Sequence, residues 1–320
     1  MTAVVGLLVF ALTAATVGVA ILRRARWARR APGLAIVMWQ ALSASVLASV
    51  VLAGAAMAVP VVPLTTDAAE LLHTCAMTLR SMYTSPGGTA AAIVGAAVAI
   101  GLTARVSYCV GDELVRARSQ RSRQEQMLTL IARDDHRLGI SIIDHPLVAA
   151  YCMPGRRRRV VLTSAAVDAL DTTQRSAIIC HEVAHLRGRH HLVIAAARGL
   201  HRAVPLPPLR VAAAEVVDLV EMLADDAAVG RYDRHTVAGA LVRMAEMQTP
   251  AGALGAAGDT PSLTRRVSRL VAEPARTRPL MAIAVLFAVA GVLLVPLALA
   301  ASPAYAATAI DYCPIMVAAA

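Results

Sequence analysis

The sequence predicts a mainly α-helical membrane protein, with about four transmembrane helices and a cytosolic α+β domain inserted between the third and the fourth. Three observations predict it. Four apolar runs, each about long enough to cross a bilayer, occupy 3–22, 34–59, 89–110 and 280–301. The chain is 58% hydrophobic and only 16% charged, with a mean hydropathy of +0.61, which is the composition of a membrane protein rather than of a soluble one. Between the third and fourth runs, the segment 112–278 alternates strand-like and helix-like patterns and carries most of the charge.

Arginine placement orders these pieces, because basic residues favour the cytoplasmic side. RRARWARR at 23–30 follows the first run, and Arg116, Arg118, Arg121 and Arg123 follow the third. The stretch 60–88 has a single arginine, Arg80, and Arg276 and Arg278 precede the fourth run. All four runs then agree on one orientation in a bacterial plasma membrane: both termini outside, the site-bearing domain in the cytosol. Charge that follows the first run instead of preceding it argues against a signal peptide. The expected division is 1–111, three transmembrane helices with an outer loop at about 60–88; 112–278, the cytosolic domain; 279–301, the fourth transmembrane helix; and 302–320, a short extracytoplasmic tail. Cys75 and Cys313 would share the outer side, though spacing alone does not establish that they pair.

Inside the domain, 112–132 reads as a charged helix leaving the membrane. The runs 139–143, 147–153 and 160–163 read as strands. Pro154-Gly155 marks a turn whose arginines, 156–159, are either a solvated tip or a contact for inner-leaflet phosphates. A short helix follows at 164–170. Asp171-Thr172-Thr173-Gln174 is a capping-box pattern, so the next helix starts at about Thr172 and is expected to run to about His190. The run 192–204 is apolar. Pro205, Pro207 and Pro208 separate it from a helix at 216–228, and further helices are expected at 236–247 and 262–270, with a Gly/Ala-rich loop at 250–261 between them.

The chemistry lies in two of these helices. His181-Glu182-Val183-Ala184-His185 puts two imidazoles at i and i+4, on one helix face, where a single Zn²⁺ can take both. Glu182 then sits beside the metal's open position as a general base for water. A hydrolytic zinc site needs a third protein ligand. Glu221 and Asp225 are again i and i+4: Glu221 can be that ligand, and Asp225 can accept the free N–H of a ligand histidine and fix its tautomer. Glu215, Asp218 and Asp226 are either rival ligands or solvated acids of an amphipathic helix. His190 and His191 follow Gly188 and are either groups behind the metal ligands or polar residues at a helix end.

Composition excludes several alternatives. Aromatics are 3% of the chain, too few for a base-stacking nucleic-acid module, and no direct nucleic-acid binding is expected. The net charge of +10 follows the membrane topology. All 31 basic residues are arginine, so no lysine nucleophile exists. The five cysteines show no metal-binding spacing, and Cys180 reads as a small buried residue of its helix.

With these motifs in place, the chain resembles the BlaR/MecR antirepressor type of integral-membrane zinc metallopeptidases, within the broader gluzincin peptidases that include the HtpX and CAAX-prenyl-protease types. The resemblance rests on His181 to His185, on Glu221-Met222-Leu223-Ala224-Asp225, on the strand–turn–strand before the metal helix and on 263–270, and it covers about residues 110–301. It implies zinc on His181, His185 and Glu221, Glu182 as the catalytic base, Asp225 behind a ligand, and a substrate-binding strand at Val148, Ala149, Ala150 and Tyr151 that pairs with substrate backbone. His235, Tyr232 and Arg266 are candidate oxyanion stabilisers. Three spans before the domain and one after fit the antirepressor type better than the HtpX type. The beta-lactam-sensing members carry a penicillin-binding domain after the last span, whereas about 19 residues follow Ala301 here, so the expected signal comes through the spans, the 60–88 loop or a partner. The implied partners are the lipid bilayer and a protein substrate, in that type a winged-helix repressor. Two rival readings are a quality-control protease of membrane proteins of the HtpX type and a non-enzymatic membrane scaffold with a vestigial metal site.

Overall fold

A long apolar segment in lipid can satisfy its backbone only by bonding to itself, and each apolar run is helical. The computed structural model describes residues 2–58, 88–154, 159–248, 260–272 and 279–310. Helix α1 (Thr2–Arg24) contains one π turn, Ala14–Gly18. The arginine stretch forms a short α2 (Arg26–Arg30), followed by α3 (Pro32–Ala58). Helix α4 (Gly88–Ile131) is one rod, made of the third span and its charged extension. The last span opens α11 (Pro279–Ile310). Among the described residues, four helices are thus long and apolar enough to cross a membrane. Helix α11 runs on past the expected end at 301, through Pro303, to Ile310; residues 311–320 lie outside the described residues. So do 59–87, 155–158 and 249–259, which hold most of the expected outer loop, the arginine tip, most of the Gly/Ala-rich loop and Cys75, and Cys313 falls within 311–320.

Between α4 and α11 a four-stranded mixed sheet packs beside helices. Its strands are β1 (Arg133–Asp135), β2 (Ile140–Ile143), β3 (Ala150–Met153) and β4 (Arg159–Thr163), in the order β1-β2-β4-β3. Strand β2 lies parallel to β4, and the other two pairs are antiparallel. That order leaves β3 at one end of the sheet. Strand β1 was not expected, since its residues are all polar. It forms because Asp134 takes hydrogen bonds from the Ser141 hydroxyl at 2.7 Å and from Arg159 at 3.4 Å across the sheet. Strand β3 starts at Ala150 rather than at Leu147. Upstream, Thr163 replaces the ladder: its hydroxyl takes the Ala149 N–H at 3.0 Å, while its own N–H donates to the Ala149 carbonyl.

The helices of the domain are α5 (Ser164–Ala169), α6 (Thr172–Arg187), α7 (His190–Ala203), α8 (Pro207–Val229), α9 (Arg234–Gln248) and α10 (Thr260–Val271). Both halves of the capping box are formed: Asp171 accepts from the backbone of Thr173 and Gln174, and the Gln174 side chain accepts the Asp171 N–H. Helix α6 ends at Arg187, short of the expected His190. Arg189, with φ at 50°, turns the chain, and His190 becomes the first residue of α7.

The largest core is shared between membrane and domain. Trp39, Leu42, Val216, Leu219, Val220, Met222 and Val285 belong to one buried cluster, which joins α3, α8 and α11. The Gln40 side chain donates to the Val193 carbonyl of α7 at 3.0 Å. In the membrane, Gly54 and Gly95 bring α3 and α4 into backbone contact: a Cβ on Gly54 would meet the Gly95 carbonyl at 2.7 Å.

Asp171 holds the first turn of the helix that carries both site histidines. Asp171→Ala should destabilise the protein by about 1 kcal/mol, read as a lower unfolding midpoint in detergent.

Candidate metal centre

Helix periodicity turns His181 and His185 to one side of α6, and the crossing of α8 brings Glu221 against them. His181 Nε2 lies 3.5 Å from Glu221 Oε2, and His185 Nε2 lies 3.6 Å from Glu221 Oε1. The two Nε2 atoms are 3.1 Å apart. Tetrahedral bonds of about 2.0–2.1 Å separate their donor atoms by about 3.4 Å, so the triangle has the size that one metal ion requires. Among the described residues, these three are the only group of histidine, cysteine and carboxylate side chains so gathered. The two nitrogens and the carboxylate suit a borderline metal such as zinc.

Behind the ligands sit further partners. Asp225, with no solvent exposure, places Oδ1 3.0 Å from His181 Nδ1, at hydrogen-bond distance though off the line of a straight bond. Arg266, from α10, donates to both oxygens of Asp225 at 2.8 and 2.7 Å and reaches Glu221 Oε2 at 3.0 Å. The guanidinium thus clamps two carboxylates with three of its five N–H groups. Of the other oxyanion candidates, the His235 side chain is 77% exposed beside Asp233, and Tyr232 packs against the cluster of Leu170, Val237 and Leu270.

Two of the three rival acids are paired with arginines. Asp218 binds Arg265 and the Ser262 hydroxyl, and Asp226 binds Arg269 at 2.7 Å. Glu215 is half-buried near Arg23, Arg29 and Arg265. Cys180 faces α8, its thiol 3.6 Å from the Ala227 carbonyl.

Strand β3 passes beside α6. Val148 is buried in the core with Leu162 and Leu186, Ala149 is tied to Thr163, and Ala150 packs inward. Tyr151 is the exposed member of the four. A residue that the sequence did not single out comes next: Cys152 lies close enough to Glu182 for that carboxylate to help push its thiol pKa up. Strand alternation from Ala150 is the signal in the sequence that turns Cys152 to the same face as Ala150.

Charge is tuned to receive a cation. Burial works against a charged His181, but the carboxylates of Asp225 and Glu221 outweigh it and raise its pKa to about 9. Burial also works against both carboxylates; nevertheless His181 and Arg266 hold Glu221 and Asp225 at about 2. His185 is lowered to about 4, by burial first, which leaves it neutral and ready to ligate. Burial raises Glu182, and the Glu221 charge adds to the shift, making it a stronger base. The Cys152 thiol is pushed up to about 12 by burial and by Glu182.

Two outcomes follow. A ligand histidine must be unprotonated, so metal has to displace the proton that His181 holds below about pH 9. Metal affinity should rise about tenfold per pH unit toward that value, with about one proton released at pH 7, measurable by calorimetry in buffers of different ionisation heat. Arg266→Ala would strand the buried Asp225 charge and should cost about 3–5 kcal/mol, seen in denaturant unfolding of the detergent-solubilised protein.

A search among curated proteins and another among solved structures found no match. A model of Peptidase family M48 matches residues 115–282, a stretch that begins within α4 and ends just inside α11. It covers more than half of the 320 residues and includes the metal triad, Glu182, Asp225 and Arg266; the chain belongs to peptidase family M48, a family of metallopeptidases.

Proposed function

We propose that this peptidase is a zinc endopeptidase of a bacterial plasma membrane, with its active site facing the cytosol and both termini outside, and that it acts in signalling by cleaving a cytosolic winged-helix repressor, as in the BlaR/MecR type. The observation that carries the hydrolytic part is the triangle of His181, His185 and Glu221 with Glu182 on the same helix. Three protein ligands leave one position open, and the base Glu182 would serve no purpose in a closed structural site.

Zinc, when bound, supplies a Lewis acid that polarises the scissile carbonyl and makes water acidic near neutral pH. Glu182 takes a proton from the attacking water and passes it to the departing amine as the peptide bond breaks. The free edge of β3 offers backbone groups to an extended substrate, which pairs with it as an added strand. Support for signalling comes from the three spans before the domain and from the core that α8 shares with α3 and α11, through which movement within the membrane reaches the helix of Glu221. Turnover of membrane proteins in the HtpX manner is the second reading, favoured by the same closeness of the site to the spans.

Glu182→Gln should keep wild-type zinc content and lose cleavage by about 10²–10⁴-fold. Purified wild type and variant, each co-expressed with a repressor encoded nearby, give the test. Cleavage by wild type alone supports the signalling reading. Intact repressor, with membrane proteins accumulating in a strain lacking the protease, supports turnover. Equal cleavage by the two proteins would exclude Glu182 as the base.

A further inference from the structure

Each metal-ligating imidazole needs its second nitrogen protonated and held, so that the first presents a lone pair. For His181 the holding group is Asp225. For His185 neither the 181–185 nor the 221–225 stretch supplies one. Its Nε2 faces Glu221 and His181, so its Nδ1 must carry the proton. That Nδ1 lies 3.0 Å from Nδ1 of His190, with the two rings edge to face at 85°.

We infer that His190 is the positioning residue of His185: it accepts the Nδ1–H of His185 through its own Nδ1 and fixes the tautomer and ring angle of that metal ligand. This inference rests on the metal site proposed above.

The chain is built to bring this ring into place. His190 is 5% exposed, and a polar ring so buried needs a partner. Gly188 ends α6 against it: a Cβ there would meet His190 Nε2 at 2.2 Å and Cδ2 at 2.5 Å. Arg189 adopts the left-handed conformation, the one non-glycine residue among those described to do so. That turn makes His190 the opening residue of α7 and sends its ring back under α6. Such an outlier persists where the surroundings require it. With its Nδ1 accepting, His190 carries its proton on Nε2. Its ring also lines a cavity of about 290 Å³ shared with Arg187, Leu223 and Arg231, where water can take that proton's hydrogen bond.

A neutral acceptor suits this position. Asp225, Glu221 and Glu182 already bring three carboxylates to the site against the single guanidinium of Arg266. A further carboxylate behind His185 would add another buried charge, whereas an imidazole acceptor adds none.

The test is zinc affinity of the full-length protein in detergent, by competition with a chelator, together with the visible spectrum of the cobalt-substituted protein. Asparagine can place an acceptor oxygen near the position of imidazole Nδ1; leucine fills much of the same space without one. His190→Leu should weaken zinc binding by about 10–100-fold and change the cobalt bands, whereas His190→Asn should restore most of the affinity. Gly188→Ala should weaken binding in wild type, and should add nothing in the His190→Leu background. Wild-type affinity in His190→Leu would overturn the inference. Equal losses in His190→Leu and His190→Asn would also overturn it, since the ring would then matter only as packing. Failure of the wild type itself to bind zinc would sink the metal reading, and this inference with it.

Discussion

A carboxylate shut away from water is tolerated only when its neighbours neutralise it. Asp225 is such a group, and the site is assembled around the need to satisfy it. It draws the guanidinium of Arg266 from α10 and the imidazole of His181 from α6 onto one point of α8. Three helices separated in sequence thereby acquire a common register. Glu221, one turn before Asp225, shares the same arginine. Misplacing Arg266 would therefore disturb a metal ligand and the group behind another at once.

Helix α8 has two working faces. One presents Glu221 and Asp225 to the metal site. The other contributes Val216, Leu219 and Val220 to the core built with Trp39 of α3 and Val285 of α11. Arg269 adds a polar tie: it binds Asp226 and also donates to the Arg29 carbonyl at 2.7 Å, so α10 grips both α8 and the short connection between the first two spans. Helix α7 is fastened to α4 in a similar way, through Arg202 on Asp112 and Glu113. The site is thus braced from several sides by the membrane helices.

Local patterns were readable and distant partners were not. His181, His185, Glu221 and Asp225 announced themselves by i, i+4 spacing, and the cap at Asp171 by residue type, because both signals lie within one or two helical turns. The four apolar runs were legible for the same reason. Strand β1 was hidden, since its three polar residues depend on Ser141 and Arg159 across the sheet. Asp218 and Asp226 looked like solvent-facing acids because their arginines lie 47 and 43 residues downstream. From the sequence, His190 can be either a group behind the metal ligands or a polar residue at the end of the metal helix. The left-handed residue before it is set by tertiary packing, and no periodicity reports such a turn.

The shared core also bears on how the peptidase can be handled as a material. A fragment trimmed at the membrane boundary would keep every residue of the metal site and still be half a molecule. Its cut would run through a hydrophobic interior, exposing the side of α8 that Trp39 and Val285 cover. Such a piece would be expected to aggregate, or to fold with α8 adrift. For this chain the long apolar helices form part of the scaffold on which the metal-site helices are packed.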